Sequence, residues 1–330
     1  MKRLIAGAAA VLLTALGVTA CAPNPNEGIT IGLITKQEEN SYWVTMRKVA
    51  ERTAKDEGVT LLTATGQSDV DVESQREAFA EMLAAGVDGI MIAPTDSTAL
   101  NDLIEEARSD GVVVIAVDTP VDPSDTTNAY FGTDNFEAGQ LVGRYAAARV
   151  TDLGLAPKIA MLNLAPGIAS GLEREAGFLD GFGIGSDDST IVAAVDSQGD
   201  RDLAADAMRT IIAENPDVSV IYTVNEEAAL GAMDALEEAR IDPSSLVLVT
   251  IDGSCAAMKD GVRPGRIAAT AMQFPENMAR EGIHAIIDAA HGASAPSGFL
   301  DTGTQLVSGS PASGVDSRNV EFGIRNCWGD

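Results

Sequence analysis

Histidine is scarce in this chain of 330 residues, and its scarcity removes several classes of enzyme. The only two histidines, His284 and His291, lie in a late helical segment, far along the chain from most of the polar positions that end the predicted strands. No Ser-His-Asp triad, Cys-His pair or histidine-rich zinc site can be assembled from them there. We expect both to be surface residues, and we expect no metal site.

Basic side chains are also few. The chain has 22 lysines and arginines against 49 aspartates and glutamates, which gives a formal net charge of −27. Such a surface repels nucleic acid and anionic lipid. We therefore expect no nucleic-acid partner and ascribe the acidity to solubility.

Phosphate-binding glycine motifs are absent as well. Neither GxxxxGK[ST] nor GxGxxG follows a predicted strand, so no nucleotide cofactor is expected. Paired carboxylates such as Asp118 and Asp252 can in principle carry out glycosidase chemistry. Nothing in the sequence raises the pKa of one of them selectively, so this chemistry has little support.

The start of the chain resembles an export signal. Two basic residues precede an apolar stretch, 4–18, that is too short and too rich in alanine and glycine for a stable transmembrane helix. Small residues before Cys21 resemble a bacterial lipobox, in which the cysteine becomes the lipidated N-terminus. We predict a signal peptide over 1–20, a lipid anchor at Cys21 and a polar linker over 21–28, with an ordinary cleaved signal as the alternative.

Only two cysteines, Cys255 and Cys327, remain after Cys21. In an oxidising compartment such a pair forms a disulfide more often than not, and the bridge would contribute roughly 4 kcal/mol in the chain-entropy model. We predict this disulfide, with two buried free thiols as the alternative.

Apolar runs of strand length alternate with helical patterns along most of the chain. Residues 29–34 are almost continuously apolar, as in a strand buried on both faces, and a helical pattern follows from 41 to about 57. This alternation predicts an α/β fold of βαβ units, with parallel strands and helices on both faces. The pattern restarts after Asn135, which predicts two similar lobes with a cleft between them.

The predicted strands are followed by polar residues. Ligands of open parallel sheets bind beyond the carboxyl ends of the strands. Carboxylates, amides and two cations suit a hydroxyl-rich solute, because each ligand hydroxyl must both donate and accept once it is desolvated. For Thr95, Asp96 and Ser97 we favour a simpler role in a turn or helix N-cap. The other positions are Lys36, Asn40, Asp118, Thr119, Thr133, Asp134, Asn135, Arg174, Asn225, Glu226, Asp252 and Gln273.

Aromatic residues make up only 4% of the chain, yet Tyr42 and Trp43 stand side by side shortly after the first predicted strand. Aromatic faces pack against the C–H faces of a sugar while polar groups bind its hydroxyls. We favour ligand contact for this pair over a place in the helix core.

Eight segments in a fixed order resemble the periplasmic sugar-binding proteins of ABC importers, in their ribose, galactose and fructose branch. The resemblance extends over essentially all of 28–330. The segments are IGLITKQEENSYW at 31–43, IAPTDS at 92–97, IAVDTP at 115–120, GTDN at 132–135, ER before GF at 173–178, VNEEAALGA at 224–232, IDG at 251–253 and MQFP at 272–275.

The resemblance implies a two-lobed periplasmic binding protein fold, each lobe a doubly wound parallel sheet with helices on both faces, and a ligand cleft between them. It implies an N-terminal lobe of 29–133 plus about 274–302 and a C-terminal lobe of 134–273 plus about 303–330. The ligand contacts that it implies are Asn40, Tyr42, Asp118, Arg174, Asn225, Asp252 and Gln273, with Lys36, Trp43 and Asp134 as additional contacts.

The implied function is that of a monomeric lipoprotein on the outer face of the cytoplasmic membrane. It would bind one monosaccharide or sugar alcohol by closure of its lobes, without a cofactor, and deliver it to an ABC permease and its ATPase. Gly199 stands where ribose binders often carry an aromatic ring, which argues against ribose itself. Cys255 with Cys327, Trp328 and Gly329 resembles the fructose-binding branch.

Two other functions stay open. One is a sugar-sensing receptor for a chemotaxis or kinase partner, which the sequence does not separate from transport. The other, with less support, is a secreted glycosidase or isomerase.

Overall fold

The computed structural model describes residues 24–329. The predicted signal peptide at 1–20 and the predicted lipid anchor, Cys21, lie outside these residues. No helix between 24 and 329 is both long enough and apolar enough to cross a membrane.

The described part of the predicted linker, 24–28, is a turn attached to the first helix. Asn24 Nδ2 donates a hydrogen bond to the carbonyl oxygen of Gly58 at 2.6 Å, and Asn26 Nδ2 donates to that of Glu57 at 2.7 Å. These bonds make residues 24–28 part of the folded domain.

The strands of the described chain form two six-stranded sheets, one in each lobe, which confirms the predicted two-lobed α/β fold. The first sheet has the order β11-β5-β4-β3-β1-β2 and is parallel throughout. Its strands are β1 (Thr30–Thr35), β2 (Thr60–Thr65), β3 (Gly89–Ile92), β4 (Val113–Val117), β5 (Ala129–Gly132) and β11 (Gly298–Asp301).

The second sheet repeats this plan with the order β12-β10-β9-β8-β6-β7. Only its edge strand β12 runs antiparallel to its neighbour. Its strands are β6 (Ile159–Asn163), β7 (Ile191–Asp196), β8 (Val220–Thr223), β9 (Val247–Asp252), β10 (Ala269–Met272) and β12 (Gln305–Ser308).

Helices cover both faces of each sheet, because the central strands are apolar on both sides. In β1, for example, Ile31 and Leu33 pack on one face of the sheet, whereas Ile34 packs on the other. The helices are α1 (Ser41–Glu57), α2 (Val72–Ala84), α3 (Asn101–Ser109), α4 (Asn135–Leu153), α5 (Ala169–Phe182), α6 (Arg201–Glu214), α7 (Glu226–Glu238), α8 (Pro275–Ala290) and α9 (Val320–Asn326).

The chain passes between the lobes after β5, after β10 and after β11. Residues that follow strands of both sheets line one cavity, so the carboxyl ends of the central strands face each other across the cleft.

Helices α4 and α5 pack unusually closely in the second lobe. A Cβ at Gly139 would lie 2.2 Å from the carbonyl oxygen of Arg174, and one at Gly177 would lie 2.1 Å from that of Phe136. Glycine is thus required where the two backbones touch. This close contact fixes the position of α5, which carries Arg174 into the cleft.

The C-terminal tail returns to the second lobe through α9. The predicted disulfide between Cys255 and Cys327 is present, with a Cα–Cα distance of 4.9 Å that lies within the usual range. It joins the tail to the loop after β9.

Candidate functional site

One cavity lies where the carboxyl ends of the two sheets meet. It contains about 340 Å³ of space not filled by protein atoms, including the part that opens to solvent. Most of the side chains predicted to contact a ligand line it. The lining residues are Lys36, Asn40, Tyr42, Trp43, Asp69, Asp118, Leu164, Ser170, Arg174, Asn225 and Asp252.

Arg174 occupies the centre of this cavity and faces a carboxylate from each lobe. Its Nη2 lies 3.9 Å from Asp118 Oδ1, and its Nη1 lies 3.6 Å from Asp252 Oδ1. Its Nε donates to Asn135 Oδ1 at 2.8 Å and its Nη1 to the carbonyl oxygen of Val224 at 3.1 Å. Burial alone would lower the pKa of Arg174, but the two carboxylates raise it above its ordinary value. The guanidinium is therefore a fixed cation with Nη2 hydrogens left for a ligand.

Asp118 and Asp252 hold corresponding places in the two lobes, one after β4 and the other at the end of β9. Both have left-handed backbones, with φ of 64° and 120°. A non-glycine residue in this region is strained, and such strain concentrates at functional sites. Thr119 Oγ1 donates to Asp118 Oδ2 at 2.8 Å. Each backbone thus turns its carboxylate toward the cleft.

A second carboxyl group lies behind Asp252. The backbone nitrogen of Glu226 donates to Asp252 Oδ2 at 3.3 Å, and that of Ser254 donates to Glu226 Oε2 at 2.7 Å. Burial raises the pKa of both carboxyl groups, and the Asp252 charge raises that of Glu226 further. This pair holds its protons to higher pH than exposed carboxylates do.

Lys36 adds a second buried cation to the cleft. Its Nζ lies 5.5 Å from the centre of the Trp43 ring, a cation–π contact. Burial lowers the pKa of Lys36, and the charges of Asp118 and Asp69 oppose that change. The ammonium group provides donors next to the aromatic wall.

Tyr42 and Trp43 form that wall, and they belong to the core as well. The side chains are buried, their rings pack edge to face at 4.8 Å, and both are part of the apolar cluster of the first lobe. Trp43 Nε1 donates to Asp69 Oδ1 at 3.3 Å. Burial raises the pKa of Tyr42, so its hydroxyl stays neutral. The pair therefore has the place in the core that was the alternative and also lines the cavity, where ligand contact stays a prediction.

Asn40 and Asn225 are helix N-caps as well as cavity residues. Asn40 Oδ1 accepts from Tyr42 N at 2.8 Å and Asn225 Oδ1 accepts from Ala228 N at 3.0 Å. Asn225 Nδ2 donates to the carbonyl oxygen of Gly199 at 3.0 Å. Asn40 keeps its Nδ2 donors for a ligand, whereas Asn225 is held rigid by its neighbours.

Two predicted contacts, Asp134 and Gln273, are not among the lining residues. The Asp134 carboxylate caps α4 by accepting from Glu137 N at 2.8 Å. Gln273 is fully buried, and its Nε2 donates to Asp252 Oδ1 at 2.6 Å. Gln273 thus supports a cavity carboxylate, and its Oε1 has no hydrogen-bond partner within the described chain.

Three lining residues were missed by the sequence reasoning: Asp69, Leu164 and Ser170. Asp69 follows β2, so the rule that polar residues matter beyond a strand end would have found it. Leu164 directly follows β6 but is apolar. Ser170 lies in the first turn of α5, where a serine is ordinarily a helix-start residue.

The turn role favoured for Asp96 is confirmed, since its Oδ1 accepts from the backbone nitrogens of Thr98 and Ala99. Ser97 does more than turn the chain. Its backbone nitrogen donates to the carbonyl oxygen of Gly167, and its Oγ accepts from Ala169 N, both at 3.0 Å. Because Ser97 follows β3 and the other two residues follow β6, these bonds join the lobes directly.

The two histidines lie away from the cavity. His284 Nε2 lies 3.3 Å from Glu57 Oε1, and His291 Nε2 lies 2.7 Å from Asn26 Oδ1. In residues 24–329 no group of three or more histidine, cysteine or acidic residues is arranged to hold a metal ion.

Comparison with known proteins gives consistent matches. The sequence model described as a periplasmic binding protein domain matches residues 31–294. The ribose import binding protein of Bacillus subtilis is 27% identical, with 83% of this chain and 90% of that protein covered. The D-ribose/D-allose-binding protein of Pseudomonas aeruginosa is 29% identical, with 83% and 88% covered. The crystal structure of the periplasmic component of an ABC-type sugar transport system from Hahella chejuensis is 28% identical, has a TM-score of 0.76, and covers 84% of this chain and 99% of that one.

Proposed function

Because the chain belongs to the periplasmic binding protein family, we propose that it binds one neutral monosaccharide or sugar alcohol between its lobes and presents it to an ABC importer. The observation that carries this proposal is Arg174, set between the Asp118 and Asp252 carboxylates of opposite lobes. The relatives named for ribose and for ribose and allose support the sugar class.

The charges of the cavity favour a neutral ligand. Its two cations, Lys36 and Arg174, face three acidic side chains, and burial raises the pKa of two of these, Asp69 and Asp252, so that the opposite charges come close to balance. A carboxylate ligand would add a further negative charge beside these acids, and a cationic ligand would meet Arg174 at the centre. Either charged ligand would lose its hydration on binding, and a cavity whose own charges are paired does not offset that cost.

The free hydrogen-bonding groups match hydroxyls. Lys36 Nζ, Asn40 Nδ2 and Arg174 Nη2 have donors to offer, whereas the aspartates accept. A hydroxyl placed between a donor and a carboxylate satisfies both. The Trp43 and Tyr42 rings supply an apolar face for the C–H side of the same ligand.

Closure follows from a ligand that touches both lobes. Contacts with Asp118 on one side and Asp252 on the other exist together only when the cleft is shut. The ligand therefore shifts the population toward the closed state by its difference in affinity. We propose that an ABC permease and its ATPase receive this closed form.

The cellular setting is part of the proposal. The chain would be exported as a monomer and anchored by lipid at Cys21 to the outer face of the cytoplasmic membrane. The lobes would comprise 29–133 with about 274–302, and 134–273 with about 303–330.

The test is a panel of pentoses, hexoses, ketoses and sugar alcohols added to protein purified after export of the full chain. A ligand should raise the melting temperature in a saturable way, and calorimetry should give one site per chain without product formation. If amino acids or peptides raise the melting temperature and no neutral polyhydroxylated compound does, the proposed ligand class is wrong.

A further inference from the structure

Trp328, near the end of the tail, is one of the largest fully buried side chains of the described protein, with 2% of its surface exposed. Specific contacts hold it in this buried position. Here the contacts come from both lobes.

The second lobe holds the backbone of Trp328. The Cys255 backbone nitrogen donates to the Trp328 carbonyl oxygen at 2.8 Å, and Ser254 forms a parallel β-bridge with Trp328. The adjacent Cys327 is joined to Cys255 by the disulfide. The tail is thus attached to the loop that begins at Asp252.

The first lobe holds the indole ring. Trp328 packs edge to face on Tyr42, with ring centres 5.1 Å apart, and belongs to the same apolar cluster as Tyr42 and Met278. Tyr42 Oη in turn donates to Met278 Sδ at 3.4 Å. The ring therefore supports the back of the aromatic wall of the cavity.

The polar edge of the indole reaches the passage between the lobes. Trp328 Nε1 donates to the carbonyl oxygen of Gln273 at 3.0 Å. The same Gln273 donates from its backbone to the Asp252 carbonyl at 2.7 Å and from its side chain to the Asp252 carboxylate. Trp328 therefore contacts Tyr42 of the first lobe directly and is linked to Asp252 of the second lobe through Gln273.

Phe322 offers a comparison within the tail. Phe322 in α9 packs against the apolar cluster of the second lobe alone, and Arg318 stacks over its ring at 5.2 Å. Removing Phe322 would loosen the tail and leave both sides of the cavity in place. A role limited to filling the core predicts similar effects for the two residues.

We propose that Trp328 is a positioning residue of the binding site. It fixes the position of the Tyr42 ring of one lobe relative to the Gln273–Asp252 pair of the other. This inference rests on the proposed function for its effect on affinity, but not for its effect on the structure.

The affinity experiment uses Trp328→Phe, Trp328→Ala and the control Phe322→Ala, all as exported full chains, with the best sugar of the panel as the probe. Trp328→Phe keeps a ring against Tyr42 and loses the donor to Gln273. We expect it to weaken binding about three- to tenfold, as for one lost hydrogen bond, and Trp328→Ala to weaken it more. Phe322→Ala should lower the melting temperature and leave affinity within about twofold of the parent protein.

A second measurement needs no ligand. Hydrogen exchange in the Trp328 variants should increase both at 41–46 in the first lobe and at 252–256 in the second, whereas Phe322→Ala should affect only the second. If no sugar binds the parent protein, the proposed function fails and this measurement alone decides the inference.

Two results would overturn the inference. One is a Trp328→Ala protein that melts at lower temperature but binds sugar with the parent affinity. The other is increased exchange confined to one lobe in both Trp328 variants. If Trp328→Ala does not fold, the affinity and hydrogen exchange of Trp328→Phe test the inference instead.

Discussion

Arg174 Nη2 lies 3.9 Å from Asp118 Oδ1, although the two residues belong to different lobes. This cation and anion are buried, so their interaction is weakly screened by solvent. The distance is too long for a direct hydrogen bond, and a ligand hydroxyl between the two groups would bond to both.

Arg174→Ala should therefore reduce sugar affinity strongly while the protein still folds. Loss of one partner of a buried charged hydrogen bond costs roughly 2–4 kcal/mol, or about 30- to 1,000-fold in affinity. The control is Arg201→Ala, which removes a similar ion pair, with Asp234, from the exposed surface. Calorimetric affinities of Arg174→Ala and Asp118→Asn that both stay within threefold of the parent protein would remove these residues from the site.

The buried carboxyl of Glu226 predicts a pH-dependent stability. Its pKa is raised, so the folded state binds more protons than the unfolded state once the pH exceeds the ordinary glutamate value of about 4.3. Stability should then fall as the pH rises from that value toward the raised pKa, and be unaffected by this group below it. Glu226→Gln keeps an oxygen acceptor for Ser254 N and cannot ionise.

The melting temperature of Glu226→Gln relative to the parent protein should thus increase between pH 4.5 and pH 7.5. Glu214→Gln, at an exposed position in α6, is the control and should show no such trend. A difference between Glu226→Gln and the parent that is constant across these pH values would show that Glu226 does not titrate in this way.

The direct bonds between the lobes at Ser97 predict an effect on closure alone. Ser97→Ala removes the Oγ acceptor of Ala169 N, and neither Ser97 nor Ala169 lines the cavity. The closed state should lose one hydrogen bond of about 0.5–1.5 kcal/mol, and the affinity should fall about two- to twelvefold, mainly through faster dissociation. Stopped-flow release rates measure this. Ser109→Ala, on the exposed end of α3, should release the sugar at the parent rate; equal rates in both variants would contradict the prediction.

Gly199 should not accept any side chain. Its φ is +66°, and a Cβ would lie 2.7 Å from both Asn225 Nδ2 and Leu164 Cδ2. Gly199→Ala should therefore displace two cavity residues and weaken binding about 5- to 150-fold, as for an overpacking cost of roughly 1–3 kcal/mol.

Gly183→Ala is the matched control, because Gly183 has a φ of +87° with nothing within 4 Å of the added Cβ. It should lower the melting temperature through backbone strain without a change in affinity. Similar affinities in the two alanine variants would mean that position 199 does not shape the cavity.

The sequence predicted what depends on local pattern. The apolar run of β1 indicated a strand buried on both faces, and the strand-end rule led to Asp118 and Asp252, because parallel strands carry their carboxyl ends to one edge. The same rule led to Asn40 and Asn225, but it did not predict that both also cap helices.

Features that depend on the exact orientation of a side chain could not be predicted from the sequence. Asp134 and Asn135 are adjacent, and successive helix residues point about 100° apart. Asp134 therefore caps α4 while Asn135 holds Arg174. The place of Trp328 between the lobes depends on three chain passages and a tail, none of which leaves a periodic pattern.

The hydrogen bonds that hold residues 24–28 limit the distance between the folded protein and the proposed lipid anchor. Asn24 is bonded to Gly58 and Asn26 to Glu57 and His291, so only three residue steps separate the described domain from the proposed anchor at Cys21. At about 3.4 Å per residue, even a fully extended connection spans only about 10 Å. The N-terminal lobe would then stay beside the bilayer as a stationary base, and opening and closing would be a swing of the C-terminal lobe over the membrane surface.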